Sequence, residues 1–440
     1  MSKINLALVG CGTVGGGVIK ILSQNRDLIN ERLGLNLNLK YVVDLNRPGI
    51  LDDYPLAGVT FTQDVELVMS DDEVDLVIHL IGGDTLERKF ILRSLESGKH
   101  VVTANKALLA KHGPQIFQAA LQNNLQVGFE ASVAGGIPVL KVLREGLAAN
   151  RIMSIYGIIN GTANYILTSM RDQGQSFDEA LALAQQQGFA EADPAFDIEG
   201  VDSAHKITIL SELAYGGLVD LDEVYTEGIT RISLNDLNYA AEFGYEIKLL
   251  GIARMEQDKL DVRVHPSMIR DTHLLAKVNG VYNAVYIDGD MVGPTIYYGQ
   301  GAGREPTASA VMADVIEIAQ GLRSGGVNSN QILNYFSQQH LSLLDAESVQ
   351  TCYYIRFMTI DQPGVLAQIS GILGQHGISI SAVTQKERHA GDIVPIILLT
   401  HLALEHEMNA ALREIEALEV VQEPPLKIRI INELSGEEKS

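Results

Sequence analysis

The sequence predicts an α/β chain in three parts. A doubly wound parallel sheet comes first, an α+β domain follows, and a small ferredoxin-like βαββαβ module ends the chain. Three observations predict this. Over residues 1–130, short apolar runs alternate with helical periodicities, the pattern of parallel strands joined by crossover helices. Over 131–304 strands and helices mix with less regular alternation. From 351 to 432 the order becomes strand, helix, two strands, helix, strand.

The elements can be justified in order. Residues 4–9 are an apolar run that ends in Gly-Cys-Gly-Thr-Val-Gly. Val14, Val18, Ile21, Leu22, Leu28 and Ile29 then fall at helical spacing, which predicts one extended helix. Strands are expected at 39–43, 74–80, 100–103 and 126–130, with helices at 86–96 and 115–122. A glycine-rich loop at 299–306 leads to a helix over about 308–322. A return helix over about 305–325 is assigned to the first domain, 1–130, with 131–304 as the substrate and dimerisation domain. Residues 323–350, rich in Ser, Asn, Gln and Gly, read as a linker. In the last module the strands are 353–359, 378–384, 393–400 and 427–431. Its helices begin at Val365 and near Glu405. Pro395 marks its strand as an edge or a bulge, and 433–440 is an acidic tail.

Composition excludes several classes. Lys and Arg number 33 and Asp and Glu 55, a net charge of −22, so neither nucleic acid nor an anionic membrane is an expected partner. The two cysteines, Cys11 and Cys352, lie far apart and outline no disulfide framework. No apolar run is long enough for a membrane span and no leader pattern is visible, so a cytoplasmic protein is expected.

The first chemical motif is Gly10-x-Gly12-x-x-Gly15. Gly10 permits the tight turn, Gly12 lets the backbone approach a pyrophosphate, and Gly15 lets the helix pack close to the strand. The helix N-terminus then faces the diphosphate. Such a turn alone is common. Its placement after an N-terminal strand, ahead of a helix and a second strand ending at Asp44, makes a Rossmann-type dinucleotide site the expectation. Asp44 suits the ribose 2′-hydroxyl of NAD, whereas Arg47 suits the 2′-phosphate of NADP, so the coenzyme is left as NAD or NADP.

Thr103-Ala104-Asn105-Lys106 lies at a strand's carboxyl end, where open α/β sheets bind ligands, so Thr103 and Lys106 are candidates. The stretch 130–138, Glu-Ala-Ser-Val-Ala-Gly-Gly-Ile-Pro, has a carboxylate and a bent backbone that could offer oxygens to a hard cation. On the residues alone, a hinge is the better reading. Glu191, Asp193, Asp197, Glu199 and Asp202 precede Lys206. Asp202 and Lys206 share a helix face at i, i+4, a carboxylate placed to orient an ammonium as a proton carrier. A second lysine nearby is expected to bring that lysine's pKa toward neutrality.

Together these stretches resemble homoserine dehydrogenase. The likeness rests on the glycine turn, Thr-Ala-Asn-Lys at 103–106, the motif at 130–138, Asn160-Gly161-Thr162-x-Asn164-Tyr165-Ile166-Leu167, Gly-Phe-Ala-Glu-Ala-Asp-Pro at 188–194, and Gly301-Ala302-Gly303. It covers residues 1 to about 325. Residues 361–366, Asp-Gln-Pro-Gly-Val-Leu, resemble an ACT domain, an amino-acid-sensing module. The resemblance implies interconversion of homoserine and aspartate 4-semialdehyde, with Lys206 carrying the proton and Lys106 beside the cofactor and the reacting oxygen. It gives Glu191 the substrate amino group, and Asp202 the substrate and Lys206. Thr13, Val14, Lys106, Gly188 and Gly303 would line the cofactor. It also turns the hinge reading into a monovalent cation site, usually sodium, made by the Glu130 carboxylate and the carbonyls of Val133, Gly135 and Ile137. It implies a homo-oligomer, dimer or tetramer, in threonine, methionine and isoleucine biosynthesis, with threonine as the expected effector of the ACT domain. Gln300, where proline is frequent, and His205, where a basic residue is common, depart from the family pattern.

Aspartate-semialdehyde dehydrogenase would need a nucleophilic cysteine, and neither Cys11 nor Cys352 is placed for one. The chain begins at the first strand, so a monofunctional enzyme is expected rather than a kinase fusion. The remaining alternative is a non-catalytic nucleotide or amino-acid sensor. The presence of Lys106, Glu191, Asp202 and Lys206 weighs against it.

Overall fold

The apolar run at the N-terminus forms strand β1, Lys3–Val9, buried from Leu6 to its carboxyl end. A strand covered on both faces has no polar side, which is why the run lacks alternation. In the computed structural model, residues 3–34, 36–256, 258–324, 339–386, 392–432 and 434 are described. The chain forms two units. One contains Met1–Ile159, Asp202–Val224 and Tyr282–Leu341; the other contains Asn160–Val201, Tyr225–Val281 and Ser342–Ser440.

In the first unit β1 is joined by β2 (Asn36–Val43), β3 (Thr60–Thr62), β4 (Leu76–His79), β5 (His100–Thr103) and β6 (Val127–Gly128). Their order is β3-β2-β1-β4-β5-β6, and every pairing is parallel. The connections reverse direction between β1 and β4, so a crevice opens at the strands' carboxyl ends. The expected long first helix is two helices, Thr13–Gln24 and Arg26–Leu33, broken at Asn25. β3 went unread because three residues are too few to show a period. The helix expected at 115–122 starts nine residues earlier and runs Lys106–Gln122. Gly113-Pro114 reads as a breaker. Pro114 is tolerated where it and Ala110 border a cavity rather than packed core.

The same unit holds three antiparallel strands, Ile152–Ile158, Tyr282–Gly289 and Gly293–Gln300, and the helix Val201–Tyr215. The return helix spans Arg304–Ser324 and packs on Thr13–Gln24. A Cβ on Gly17 would lie 2.7 Å from that of Ala308, so the two helices touch backbone to side chain.

In the second unit, Tyr245–Glu256 and Lys259–Arg270 form a long antiparallel hairpin. The C-terminal module is the expected βαββαβ: strands Gln350–Ile360, Ile380–Thr384, Ile393–Thr400 and Leu426–Ile430, with helices Val365–Gln375 and Glu405–Glu416. Leu426–Ile430 pairs in parallel with Lys259–Arg270 through Ser267–Arg429 and Met268–Ile430, which makes the module's sheet continuous with the hairpin. Pro395 lies opposite Met358, beyond the reach of Ile380–Thr384, which pairs only with the far end of that strand. Residues 325–338 of the expected linker, residue 325 of the expected return helix, and the acidic tail apart from Leu434 lie outside the described residues. Among the described residues no helix is long and apolar enough to cross a membrane.

Candidate active site

The glycine turn follows β1 at the crevice. Gly10 has φ +94°, and a Cβ there would meet the Leu80 carbonyl at 2.8 Å. A Cβ on Gly15 would lie 2.4 Å from the Gly10 oxygen. Gly12 differs, since nothing lies within 4 Å of its missing Cβ. No internal contact demands glycine there, which fits a backbone left bare for a diphosphate. Thr13 is exposed and Val14 half-buried on the same flank. The Asp44 carboxylate accepts the Cys11 N–H at 2.7 Å and the Leu45 N–H at 2.7 Å, so β2's terminal acid is seated on the turn. Burial, with Asp44 adding to it, pushes the Cys11 thiol up to about 11; it stays protonated and is no nucleophile at neutral pH. Arg47 pairs with Asp52 at 2.8 Å, both largely exposed.

At the end of β5 stands a cluster of three charges. Asp202, 4% exposed, bonds Lys206 Nζ through Oδ2 at 2.7 Å and faces Lys106 Nζ through Oδ1 at 3.2 Å. Lys206 Nζ also donates to the Ile159 carbonyl at 2.7 Å, which leaves one of its three positions for a ligand. The i, i+4 pair was legible; the second lysine, nearly a hundred residues earlier, arrives through the fold. His205 is buried, and burial, with Lys111 next, lowers its pKa to about 4. It is a neutral ring at pH 7 and adds no charge to the lysine pair.

Glu87 was not anticipated. Its carboxyl is fully buried on the helix Thr85–Glu96. It accepts hydrogen bonds from Thr103 Oγ1 at 3.0 Å and from Asn105 Nδ2. Burial pushes it up to about 7 against those two bonds. The available signal was its position four residues before Ile91 and eight before Leu95, both buried: an acid on an apolar stripe.

Glu130 begins the bent stretch at 130–138. Its two carboxylate oxygens accept the N–H groups of Leu140 at 2.9 Å and Lys141 at 2.8 Å. The expected carboxylate ligand therefore also caps a helical turn, with one N–H on each oxygen. The carbonyls of Val133 and Gly135 accept no hydrogen bond among the described residues, while that of Ile137 takes the Val139 N–H at 2.8 Å. Ala134 and Gly135 are both left-handed, at φ 54° and 53°. Asp314 receives the Glu130 N–H, and burial followed by Glu130 raises its carboxyl to about 8. Gln300 ends its strand and its main-chain carbonyl accepts Gly136 N–H at 3.0 Å, which ties the 130–138 stretch to the Gly301–Gly303 loop whatever the side chain at 300. Gly303 has φ +120° and is exposed.

The second unit carries Gly188 and Glu191 on one exposed loop. The helix Gly161–Gln173 holds that loop. Asn160 caps it by accepting Ala163 N–H, Thr162 Oγ1 donates to the Phe189 carbonyl at 2.7 Å, and Tyr165 Oη donates to Gln187 at 2.9 Å. Asn164 is fixed from behind by the buried Lys248, whose ammonium burial lowers to about 8 and which also reaches the Val278 carbonyl at 2.7 Å. The Asn-Gly-Thr-x-Asn-Tyr motif is thus the scaffold of the loop.

Comparisons with known proteins agree with this architecture. Residues 10–130 match the family model "Homoserine dehydrogenase, NAD binding domain", residues 138–316 match "Homoserine dehydrogenase", and residues 353–420 match "ACT domain". The homoserine dehydrogenase of Pseudomonas aeruginosa is 46% identical over 98% of this chain and 99% of its own. A crystal structure of the enzyme from Thiobacillus denitrificans superposes with a TM-score of 0.90 at 45% identity, covering 98% of this chain and 99% of that one. A hyperthermophilic archaeal homoserine dehydrogenase mutant, solved in complex with NADPH, gives 0.60 at 26% identity over 72% of this chain and 97% of its own.

Proposed function

The chain belongs to the homoserine dehydrogenase family, and from that premise we propose that it moves a hydride between L-homoserine and L-aspartate 4-semialdehyde, with Lys206 as the proton carrier. The observation that supports this most is the Asp202 carboxylate held between Lys206 and Lys106 at the end of β5. A nicotinamide coenzyme, NAD or NADP, held at the glycine turn would supply the acceptor for the hydride of the carbinol carbon. Lys206 in its neutral form takes the hydroxyl proton as the carbonyl forms, and returns it in the reverse direction. Asp202 and the Ile159 carbonyl fix the direction of its third position. Lys106 stands beside the oxygen on which charge develops. Glu191 holds the substrate ammonium, with Asp202 assisting. The glycine turn, Thr13, Val14, Asp44, Thr103, Lys106, Gly188 and Gly303 bind the coenzyme.

Three further readings belong with this one. A sodium ion would be held at Glu130, Val133, Gly135 and Ile137 by the Glu130 carboxylate, which also serves as a cap, and main-chain carbonyl oxygens. Hard oxygens on a left-handed bend suit such an ion. The ACT module would bind threonine as feedback inhibitor. A route inward is available within the second unit, where Tyr354 Oη and Arg356 Nε both bond Asp236 at 2.8 Å. The chain would act as a homo-oligomer, dimer or tetramer.

Lys206→Ala tests the reading. Turnover, followed by reduced-nicotinamide absorbance, is expected to fall by roughly 10²–10⁴-fold, while coenzyme affinity stays unchanged. Near-normal turnover would overturn the assignment. The same assay with NAD, with NADP and with added threonine decides coenzyme and effector.

A further inference from the structure

Glu87 has no place in the chemistry above, yet it is a fully buried carboxyl whose hydrogen-bond partners among the described residues are two residues of the Thr103–Lys106 stretch. Thr103 Oγ1 donates to it and accepts the Asn105 N–H at 3.1 Å. Asn105 does three things at once. Its Nδ2 donates to Glu87 and to the Gly83 carbonyl at 2.5 Å, and its Oδ1 accepts Leu108 N–H at 3.0 Å as the N-cap of the helix Lys106–Gln122. Lys106 is the first residue of that helix. One carboxyl therefore joins the loop after β4, the end of β5 and the first turn of the lysine's helix.

We propose that Glu87 is a positioning residue for Lys106, setting through Asn105 the start of the helix from which Lys106 reaches Asp202. This rests on Lys106 standing beside the reacting oxygen. The physical case is one of degrees of freedom. Without Glu87 the Asn105 amide would be held only by the Gly83 carbonyl of a glycine loop, a tether that can move with the side chain and release the cap. A cap lost from the first turn frays the residues that follow, and Lys106 is the first of these. A shift of about 1 Å in a reacting group costs up to about a hundredfold in rate. Leucine at 87 would fill the volume but leave the buried Thr103 hydroxyl and one N–H of the half-buried Asn105 amide without their acceptor. Glutamine would retain an acceptor for Asn105.

The test is a set of variants in the full chain. Glu87→Ala is expected to lower kcat by roughly ten- to a hundredfold, with homoserine KM and coenzyme affinity moving less than about threefold. Glu87→Gln is expected to recover most of that loss, and Asn105→Ala to repeat it with Glu87 intact, which covers a Glu87→Ala protein that does not fold. In a Lys106→Ala background, Glu87→Ala and Asn105→Ala should cost nothing further. Equal losses with and without Lys106, or an Asn105→Ala enzyme with normal kcat, overturn the proposal. A Lys106→Ala enzyme with normal turnover instead removes the premise, so the two failures are distinguishable.

Discussion

Two buried carboxylates in this chain each sit between two cations, and they differ in what closes around them. In the first unit Asp202 is bracketed by Lys206 and Lys106, and the Lys106 side chain is 32% exposed. In the second unit Glu405 is bracketed by Arg429 and Lys427, and the Arg429 side chain is 2% exposed. Arg429 grips Glu405 with Nε at 3.0 Å and Nη2 at 2.5 Å, while Tyr353 Oη adds a bond at 2.7 Å. Every oxygen of Glu405 has two donors. The cations at Asp202 are both lysines. A guanidinium does not give up its proton at working pH, whereas an amine can. The same charge arrangement is therefore a clamp in one place and a proton-handling site in the other.

Isosteric substitutions should separate the two. Glu405→Gln leaves the buried Arg429 with Glu227 as its one remaining carboxylate, at 3.0 Å, and removes the carboxylate from Lys427, a loss of about 3 kcal/mol, visible as a lower denaturation midpoint with kcat unchanged in the folded enzyme. Asp202→Asn should do the reverse: turnover falls roughly 10²–10³-fold, and the midpoint moves much less. If both variants damaged the same property, the distinction would collapse.

Acid should sharpen it. Burial alone would raise the Glu405 pKa, but Arg429 and then Lys427 overcome burial and hold it at about 2, against 4.5 for a free glutamate. A depressed carboxylate stabilises the fold above the unfolded value and loses that contribution as pH falls through the folded one. The stability gap between wild type and Glu405→Gln should be constant above about pH 4.5. It should then shrink toward pH 2, by on the order of 3 kcal/mol at most. A gap that stays flat down to pH 3 would show that Glu405 is not the titrating group.

The parts legible in the sequence were those with local causes. Gly10 turns the chain at positive φ and Gly15 packs on the Gly10 oxygen five residues back, and Asp202 and Lys206 share one helix face. The βαββαβ order was legible because each strand and helix carries its own period. The break at Asn25 was not, because Val14 to Ile29 keeps a continuous apolar spacing across it. Nor was the Lys106 contact with Asp202, which depends on how two distant helices meet. Glu130 shows a subtler limit: the sequence offers its carboxylate, but only the fold reveals that Leu140 and Lys141 share it. Glu87 left a trace, an acid in line with Ile91 and Leu95, that pattern reading passes over because acids on helices are ordinarily exposed.

The smallest expected effect comes from a third buried carboxyl, which has no cation close enough to offset its burial. Glu212 lies ten residues beyond Asp202 on the same helix, 3% exposed, with one bond from the Val219 N–H at 3.2 Å. Burial raises its pKa to about 8. A raised carboxyl leaves stability intact below the unfolded value, near 4.5, and erodes it as pH rises through the folded one. Glu212→Gln, which cannot ionise, should match wild type near pH 4.5 and become the more stable protein by pH 8. The carboxyl borders a cavity of about 480 Å³ together with Lys111, Asp220, Asp222 and His340. Water there can hydrate part of the charge, so the gain should be about 1–2 kcal/mol rather than the full shift. Denaturation midpoints of both proteins at pH 5 and pH 8 measure it. A gain that is equal at the two pH values would mean that packing, not ionisation, separates glutamate from glutamine. It would then remove the ordering in which Glu405 is held by a sealed arginine and a lysine, Asp202 by two lysines of which Lys106 is open to solvent, and Glu212 by no cation.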